Sequence, residues 1–508
     1  MKSIHLHKNM LLVFIITLMI AGTSVALAQT TEKKLFAVVD IVVEDTAMLH
    51  DGSIHINMSK NGINSNFASD RDTFGQEIVT AKTRLVIPLT GTVTYGRIDY
   101  LNRQQAAQLP LNQNNDLFVF QPGDSVVLHL SNHEKGAFFT GKSADKYNCI
   151  YRISNSDEIN SVDKYNAYMK LKDFEGAYSY RKFQQDSIYA IQLHILETFK
   201  AKLNTDVYNL IKLDCLGNYN QHLADIYLSP FLLQRSEEYQ TAGNLFSKHF
   251  GNYKEGHFND TALLVKSYKY SDFLAEKEKV FAIIQNSLNG ISYYSKLKFA
   301  DINKAIDQHY VNGILKDKIK LLAFYNIDRR RQGDFASYIN EAIDKAKDDP
   351  YKTALIQFRD ANTIGADAFP FELPGQNGKL YKLSDFSGKV VVMDFWFTGC
   401  HGCVVMAESL KPIVSYYKSN PNIVFVSISI DGNKELWLKS LHEEKYCNTD
   451  EINLLAGMDR ESSIYKHYNI QECPTLIVIS KTGKIISAAP PDPRIDEEAF
   501  KALIDKYL

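Results

Sequence analysis

Two of the six cysteines of this 508-residue chain stand three apart in "DFWFTGCHGC", residues 394–403, directly after an apolar run. Cys400 and Cys403 at that spacing admit three readings: a redox dithiol, half of a metal site, or two small buried side chains. A cysteine that opens a helix just after a central strand has its sulfur near free backbone N–H groups and the positive end of the helix dipole. Both favour thiolate over thiol, the property that makes C-x-x-C pairs reactive. The two-residue gap lets the second sulfur approach the first from the next part of the turn, so a disulfide can open and close on a fixed scaffold. In that reading Cys400 is the exposed attacking sulfur and Cys403 the buried sulfur that resolves the mixed disulfide.

The elements needed to hold such a pair can be read around it. "VVVMDFWF" is a continuous apolar run suited to a strand covered on both faces, "VVMAESLKPIVSYYKSN" has helical spacing, and "NIVFVSISID" is a second buried strand. A helix follows near "KELWLKSLHEE", and "YNIQECPTLIVIS", "GKIISAA" and the helix "DEEAFKALIDKYL" complete a small α/β unit. Ahead of it, "ANTIGADAFPFELPGQNGKLYKLSDFSGK" carries Pro370, Pro374, Gly365, Gly375, Gly378 and Gly388, a density of breakers that reads as a linker followed by a hairpin.

The rest of the chain divides by texture. From Lys34 to about Ser143, runs such as "LFAVVDIVVE", "RLVIPLTGTV" and "DLFVFQPGDSVVLHL" alternate with turn formers, and Gln121 to Asp124 ("QPGD") read as a type II turn, giving a β-sandwich or barrel-like module. From about Ala144 to Asp360 apolar residues take helical spacing, with Ile188, Ile191, Ile195 and Phe199 as one stripe, and prolines nearly vanish. The abundant tyrosines of this stretch read as packing and not as a carbohydrate or peptide platform. The expected division is a leader over 1–28, a β-sandwich-like domain over 29–143, an α-helical domain over 144–360 and the α/β unit over 361–508.

Compartment and charge narrow the chemistry. The opening has Lys2 and Lys8, an apolar run from Met10 to Ala21, and small residues at Ala26-Leu27-Ala28, which is the layout of a cleaved secretory signal. The alternative is an uncleaved N-terminal anchor, but the run of about 12 residues is short of the ~20 that span a bilayer. Export to a periplasm or cell envelope is therefore expected. With 57 Lys plus Arg against 59 Asp plus Glu, the net charge of −2 gives no electrostatic reason to expect nucleic acid as a partner. Cys149 and Cys215 lie alone in the first 360 residues, whereas Cys400, Cys403, Cys447 and Cys473 crowd the end, so thiol chemistry belongs to the C-terminal unit.

At these residues the chain resembles the thioredoxin fold, and within it the exported TlpA/ResA-like thiol:disulfide oxidoreductases. "LSDFSGKVVVMDFW" looks like the family's lead-in to the central strand, and "ECPTLIVISKTGKII" like its x-Pro-Thr turn with strand and hairpin. The stretch holding Cys447 resembles the helical insertion of this branch. The resemblance implies that Pro474 is cis and faces the dithiol, and that Asp394 is a buried acid moving a proton on and off Cys403. It also implies protein disulfides as clients and a membrane or periplasmic dithiol as electron donor. No nucleotide fingerprint is visible, so no bound cofactor is expected.

Several residues depart from the family pattern. His401-Gly402 replaces Gly-Pro, and Gly399 stands where a tryptophan often precedes the first cysteine. His401 is either a stabiliser of the Cys400 thiolate or a solvent-exposed spacer. Cys473, just before Pro474, is either a third functional thiol, a soft-metal ligand or a small buried side chain. Together with Trp396 these two are candidate modulators of the dithiol. A thiol peroxidase is disfavoured because Met393 and Phe397 occupy its proline and threonine positions. A structural zinc site lacks a second close pair of ligands. The competing function is a soft-metal-binding or client-recruiting scaffold with a non-catalytic thioredoxin-like unit. The reading adopted is an exported oxidoreductase acting as a protein disulfide reductase.

Overall fold

The computed structural model describes residues 35–508 except 45–51, 60–61, 64–70, 78–79, 103–106, 110–116, 131–136, 157–161, 252–260, 291–296, 327–335, 348–349, 449, 458–462, 469 and 471. The leader expected over residues 1–28 lies outside the described residues. Among those described, no helix is long and apolar enough to cross a membrane.

Strands from Leu35 to Thr140 form two sheets. In one, Leu35–Val43 lies between Lys82–Leu89, antiparallel, and Ser125–Leu130, parallel, with Ala137–Thr140 beyond. The other runs through Arg71–Glu77, Gly52–Ser59, Thr94–Asn102 and Ala107–Leu109, with Phe118–Phe120 also pairing Thr94–Asn102. Strict alternation makes Lys82–Leu89 half-buried, with Leu85, Ile87 and Leu89 inward and Arg84 and Val86 outward. The turn at 121–124 closes with Asp124 N–H donating to Gln121 O at 3.0 Å, and Gly123 takes φ +82°, the left-handed value a type II turn demands.

Helices follow from Ala144 to Asn362. The apolar cluster of the two sheets does not end where the strands do. It takes in Tyr147, Cys149, Ile150, Leu210, Cys215 and Tyr268 from the helices, so strands and helices share one core. Lys318 ties the parts together from inside, its buried ammonium donating to the carbonyls of Val265 at 2.8 Å, Gly62 at 2.9 Å and Ser267 at 3.3 Å. A buried ammonium is tolerated only with its donors satisfied, as here.

The stripe expected on Phe174–Phe199 is displaced. Ile191 is 37% exposed and Ile188 and Ile195 are half-buried, while Gln184, Gln192, Leu196 and Phe199 are buried. This helix packs against both Ala144–Ser154 and Thr205–Leu232, and the side facing them is centred one residue on from the apolar spacing. One close helix crossing gives a stability test. A Cβ on Gly217, within Thr205–Leu232, would lie 2.5 Å from Tyr270 N and 2.6 Å from Lys269 C, both backbone of the facing turn. Gly217→Ala gains about 1 kcal/mol of helix propensity but forces an overpacked contact costing up to about 3 kcal/mol. A net loss of up to about 2 kcal/mol is expected in denaturant unfolding, against the gain that propensity alone predicts.

The C-terminal unit is an α/β sandwich. Numbered within that unit, β1 (Glu372–Pro374) and β2 (Leu380–Lys382) form a hairpin ahead of β3 (Val390–Trp396), α1 (His401–Tyr417) and β4 (Ile423–Ser429). Then come α2 (Lys434–Glu443), β5 (Ile452–Leu455), α3 (Ser463–His467), β6 (Thr475–Ile479), β7 (Ile485–Ser487) and α4 (Glu497–Asp505). The sheet order is β5-β4-β3-β6-β7, parallel across β5, β4 and β3 and antiparallel from β3 to β6 and β7. All seven residues of β3 are buried because both faces are covered. Val390 and Val392 pack with Met406, Leu410, Phe500 and Ile504 of α1 and α4; Val391, Met393 and Phe395 pack on the other side with Phe371, Ile464 and Tyr468.

Candidate dithiol site

The parity of β3 places the acid. Residues 390, 392, 394 and 396 alternate onto the α1 face, so Asp394 lies between Val392, which packs under Met406 and Leu410, and Trp396, which packs with Cys400 and Cys403. Asp394 is thus beneath the first turn of α1. Its side chain is buried, and among the described residues its Oδ1 has no hydrogen-bond partner. Burial, reinforced by the charge of Glu451, pushes the Asp394 carboxyl well above the usual carboxylate range, with Arg494 opposing.

Cys400 is the N-cap of α1, and its sulfur accepts the Cys403 N–H at 3.1 Å. Cys400 and Cys403 are joined in a disulfide. The loop before them is pinned twice. Thr398 N–H and Oγ1 donate to the Asp431 carboxylate at 2.9 and 2.7 Å, and Gly399 N–H donates to the Tyr446 hydroxyl at 3.0 Å. Gly399 sits at φ +97°, which explains why no tryptophan stands there, since a side chain in that region is strained.

The expected exposure of Cys400 needs correction. It is 7% exposed against 0% for Cys403, so the difference is in the expected direction but Cys400 is itself buried. Trp396, Tyr446 and Cys473 close around it in one cluster with Trp437, Cys447 and Leu455. Trp396 is fully buried, donates Nε1–H to Ser427 Oγ at 2.7 Å, and stacks on Tyr446 at 5.1 Å between ring centres. It is the floor of the sulfur cluster. His401, the first residue of α1, is exposed.

The Cys473–Pro474 peptide is cis, and Pro474 faces α1: a Cβ on Gly402 would lie 3.3 Å from Pro474 Cδ. Cys473 presents its carbonyl oxygen 3.5 Å from Cys400 Sγ, while its half-buried side chain packs between the clusters around Phe395 and Trp396. Cys447 is buried, and desolvation first, then the charge of Glu451 and Asp394, pushes its thiol up to about 12. Such a thiol stays protonated and inert. Among the described residues no group of three or more His, Cys, Asp or Glu side chains is placed to hold a metal ion.

Four residues of this site are not marked by any local pattern. Tyr446 and Asp431 anchor the loop, Glu451 adds a further buried carboxyl, and Arg494 Nη1 lies 3.8 Å from where a Gly402 Cβ would stand. Arg494 is held there by Asp492, at 2.6 Å. Pro490, Pro491 and Pro493 around it form a breaker cluster that could have flagged a structured loop near the helix start.

Residues 388–485 match the family model described as thioredoxin-like, and with this sheet order, this dithiol and this proline the C-terminal unit is a thioredoxin-like enzyme domain. Within that class it is similar to the ResA proteins. It is 24% identical over 133 residues to the thiol-disulfide oxidoreductase ResA of Bacillus subtilis (strain 168), covering 26% of this chain and 70% of that protein. It is 28% identical over 128 residues to ResA of Geobacillus thermodenitrificans, covering 25% of this chain and 68% of the relative. A solved thiol-disulfide oxidoreductase from Bacteroides fragilis is 26% identical, with 28% of this chain and 99% of that one covered at a TM-score of 0.25.

Proposed function

We propose that the protein is an exported thiol:disulfide oxidoreductase that reduces protein disulfides through Cys400 and Cys403. The observation that carries this reading is the disulfide at the mouth of α1, with Cys400 Sγ accepting the Cys403 N–H at 3.1 Å and lying against the Cys473 carbonyl. The N–H and the helix dipole favour negative charge on that sulfur once the disulfide opens. Pro474 closes the opposite wall. Names of the relatives support the class, and the leader-like opening supports export.

In the reduced form the Cys400 thiolate attacks one sulfur of a client disulfide. A mixed disulfide forms and the other client sulfur leaves as a thiolate that takes a proton from solvent. Cys403 gives its proton to the Asp394 carboxylate, and its sulfur attacks Cys400 Sγ. The second client sulfur leaves as a thiolate and takes a proton, so the client departs as a dithiol with two electrons gained, and the enzyme is left in the disulfide form described above. A membrane or periplasmic protein dithiol then restores the reduced state. Residues 29–143 and 144–360 are proposed as accompanying β-sandwich-like and helical parts of an enzyme whose chemistry sits in 361–508.

The reading predicts that the wild-type protein, with dithiothreitol as electron source, reduces insulin disulfides and that Cys400→Ser falls to the uncatalysed rate. Insulin turbidity checks it, and equal rates for the two proteins would overturn it. The potential of the couple decides direction: a value near about −270 mV supports a reductase, one near about −120 mV an oxidase.

A further inference from the structure

Asp394 is not the sole acid under the dithiol. Glu451 lies at the entry to β5 and is buried, with its carboxylate accepting the Asn448 N–H at 2.8 Å. Sheet register relates the two. Asp394 on β3 is level with Ser427 on β4, and Ser427 with Asn453 on β5. Glu451, two residues before Asn453, shares its parity and therefore the α1 face, as does Leu455, which packs in the sulfur cluster with Trp396. No ion pair to Glu451 is found among the described residues. Two carboxyls thus share one dry patch of sheet, two strands apart, or roughly 10 Å at ~4.8 Å per strand.

At neutral pH such a pair does not carry two charges freely. Burial pushes Glu451 up to about 7 even with the Asn448 N–H favouring its charged form. Asp394 is pushed well above the usual carboxylate range, and part of that comes from Glu451. The other titratable or charged groups around the patch are Cys403 from α1, Asp431 just after β4, Cys447 and Asp450 from the α2–β5 connection, and Arg494 from the segment after β7. Arg494 is a cation that favours the ionised Asp394, and Asp492 pairs with it at 2.6 Å.

We propose that Glu451 is a second buried acid of the dithiol site, whose charge holds the proton on Asp394 and so sets the pH at which Asp394 can take the proton of Cys403. This rests on the oxidoreductase reading for its consequence, but not for its existence. Glu451 does not touch the sulfurs and is a positioning residue acting through Asp394. As Glu451 ionises it makes Asp394 a stronger base but keeps it occupied, so the resolving attack of Cys403 is delayed to higher pH. The partner chemistry is therefore pH-gated from inside the fold, with no residue on the client-facing surface involved.

The test separates coupling from turnover. Glu451→Gln keeps the acceptor for Asn448 N–H and removes only the charge. A full charge at this separation is expected to move a carboxyl titration by about one pH unit. In Glu451→Gln the carboxyl carbon of labelled Asp394, followed by NMR, should therefore titrate about one unit lower, and the rising limb of the disulfide-exchange profile should shift down with it. Glu451→Asp should restore both. Wild type itself should show a two-step Asp394 curve, one step of which coincides with the Glu451 midpoint, which needs no variant to fold. A single-step Asp394 curve in wild type, or an unmoved Asp394 midpoint in Glu451→Gln, would overturn the proposal. A merely structural Glu451 would lower the exchange rate at every pH without moving the limb. Absence of any exchange in wild type would instead overturn the oxidoreductase reading and leave the titration result standing.

Discussion

Cys403→Ser is expected to turn a turnover enzyme into a trap. Cys400 keeps its place at the N-cap of α1, because the N–H it accepts is the backbone amide of residue 403 and survives the substitution. Attack on a client disulfide therefore still forms the Cys400–client bond. A serine hydroxyl cannot resolve it, being essentially un-ionised near neutral pH and a poor nucleophile toward sulfur. Turnover should fall by ~10³-fold or more, as when an essential nucleophile is lost. Clients should accumulate as mixed disulfides, identified by non-reducing gels and mass spectrometry. The position of Cys473, packed in the same cluster, makes the control informative. Adducts must map to Cys400 and vanish in Cys400→Ser/Cys403→Ser; adducts persisting in that double variant would assign capture to Cys473 and reverse the division of roles.

The parts of the site visible in the sequence are those whose chemistry is local. The spacing of Cys400 and Cys403, the apolar run before them, and a proline followed by a strand all lie within single elements, where a period of 2 or 3.6 speaks directly to direction and burial. Tyr446, Asp431, Glu451 and Arg494 are different. They meet the dithiol because β3, β4 and β5 are in lateral register and because loops after α2 and β7 return to the mouth of α1, and no residue spacing within one element encodes a lateral neighbour. Glu451 is hardest to see, since an acid before a strand reads as a solvated turn residue until the fold dries it. The same limit explains the shared core of strands and helices. Tyr147, Leu210 and Tyr268 look like ordinary helix packing, and only the fold shows that they close the inner faces of the two sheets. The displaced stripe of Phe174–Phe199 has the same origin, because two neighbouring helices, and not the apolar spacing alone, choose the buried side.

Asp394→Asn should speed nothing and yet stabilise the protein, two effects of opposite sign from one carboxyl. The stability sign follows from proton counts. Below the midpoint of an unfolded aspartate, near about 4, both folded and unfolded states hold the proton and burial costs no charge. Above it the unfolded chain releases the proton while the folded Asp394, raised by burial and by Glu451, retains it. The folded state then binds more protons, so stability falls as pH rises, by ~1.4 kcal/mol per unit until the folded carboxyl itself ionises. A neutral asparagine has no such slope. The gain of Asp394→Asn over wild type in urea unfolding should therefore be smallest near about pH 4 and widen toward alkaline pH. Activity goes the other way, because the side-chain amide of that variant cannot accept the Cys403 proton. Removal of a general base typically costs about 10²- to 10⁴-fold, and about 100-fold slower release of a preformed mixed disulfide is expected at the pH where Asp394 of the wild type has ionised and Cys403 has not. The deficit should shrink at high pH, where Cys403 ionises without help. Stopped-flow release and urea titrations, run from mildly acidic to mildly alkaline pH, measure both. A variant that is slower but no more stable would mean that Asp394 is satisfied in the folded state by a partner that the asparagine loses. One that is more stable but equally fast would mean that the Cys403 proton leaves by another route, with Glu451 a buried carboxyl on the same face that could take it.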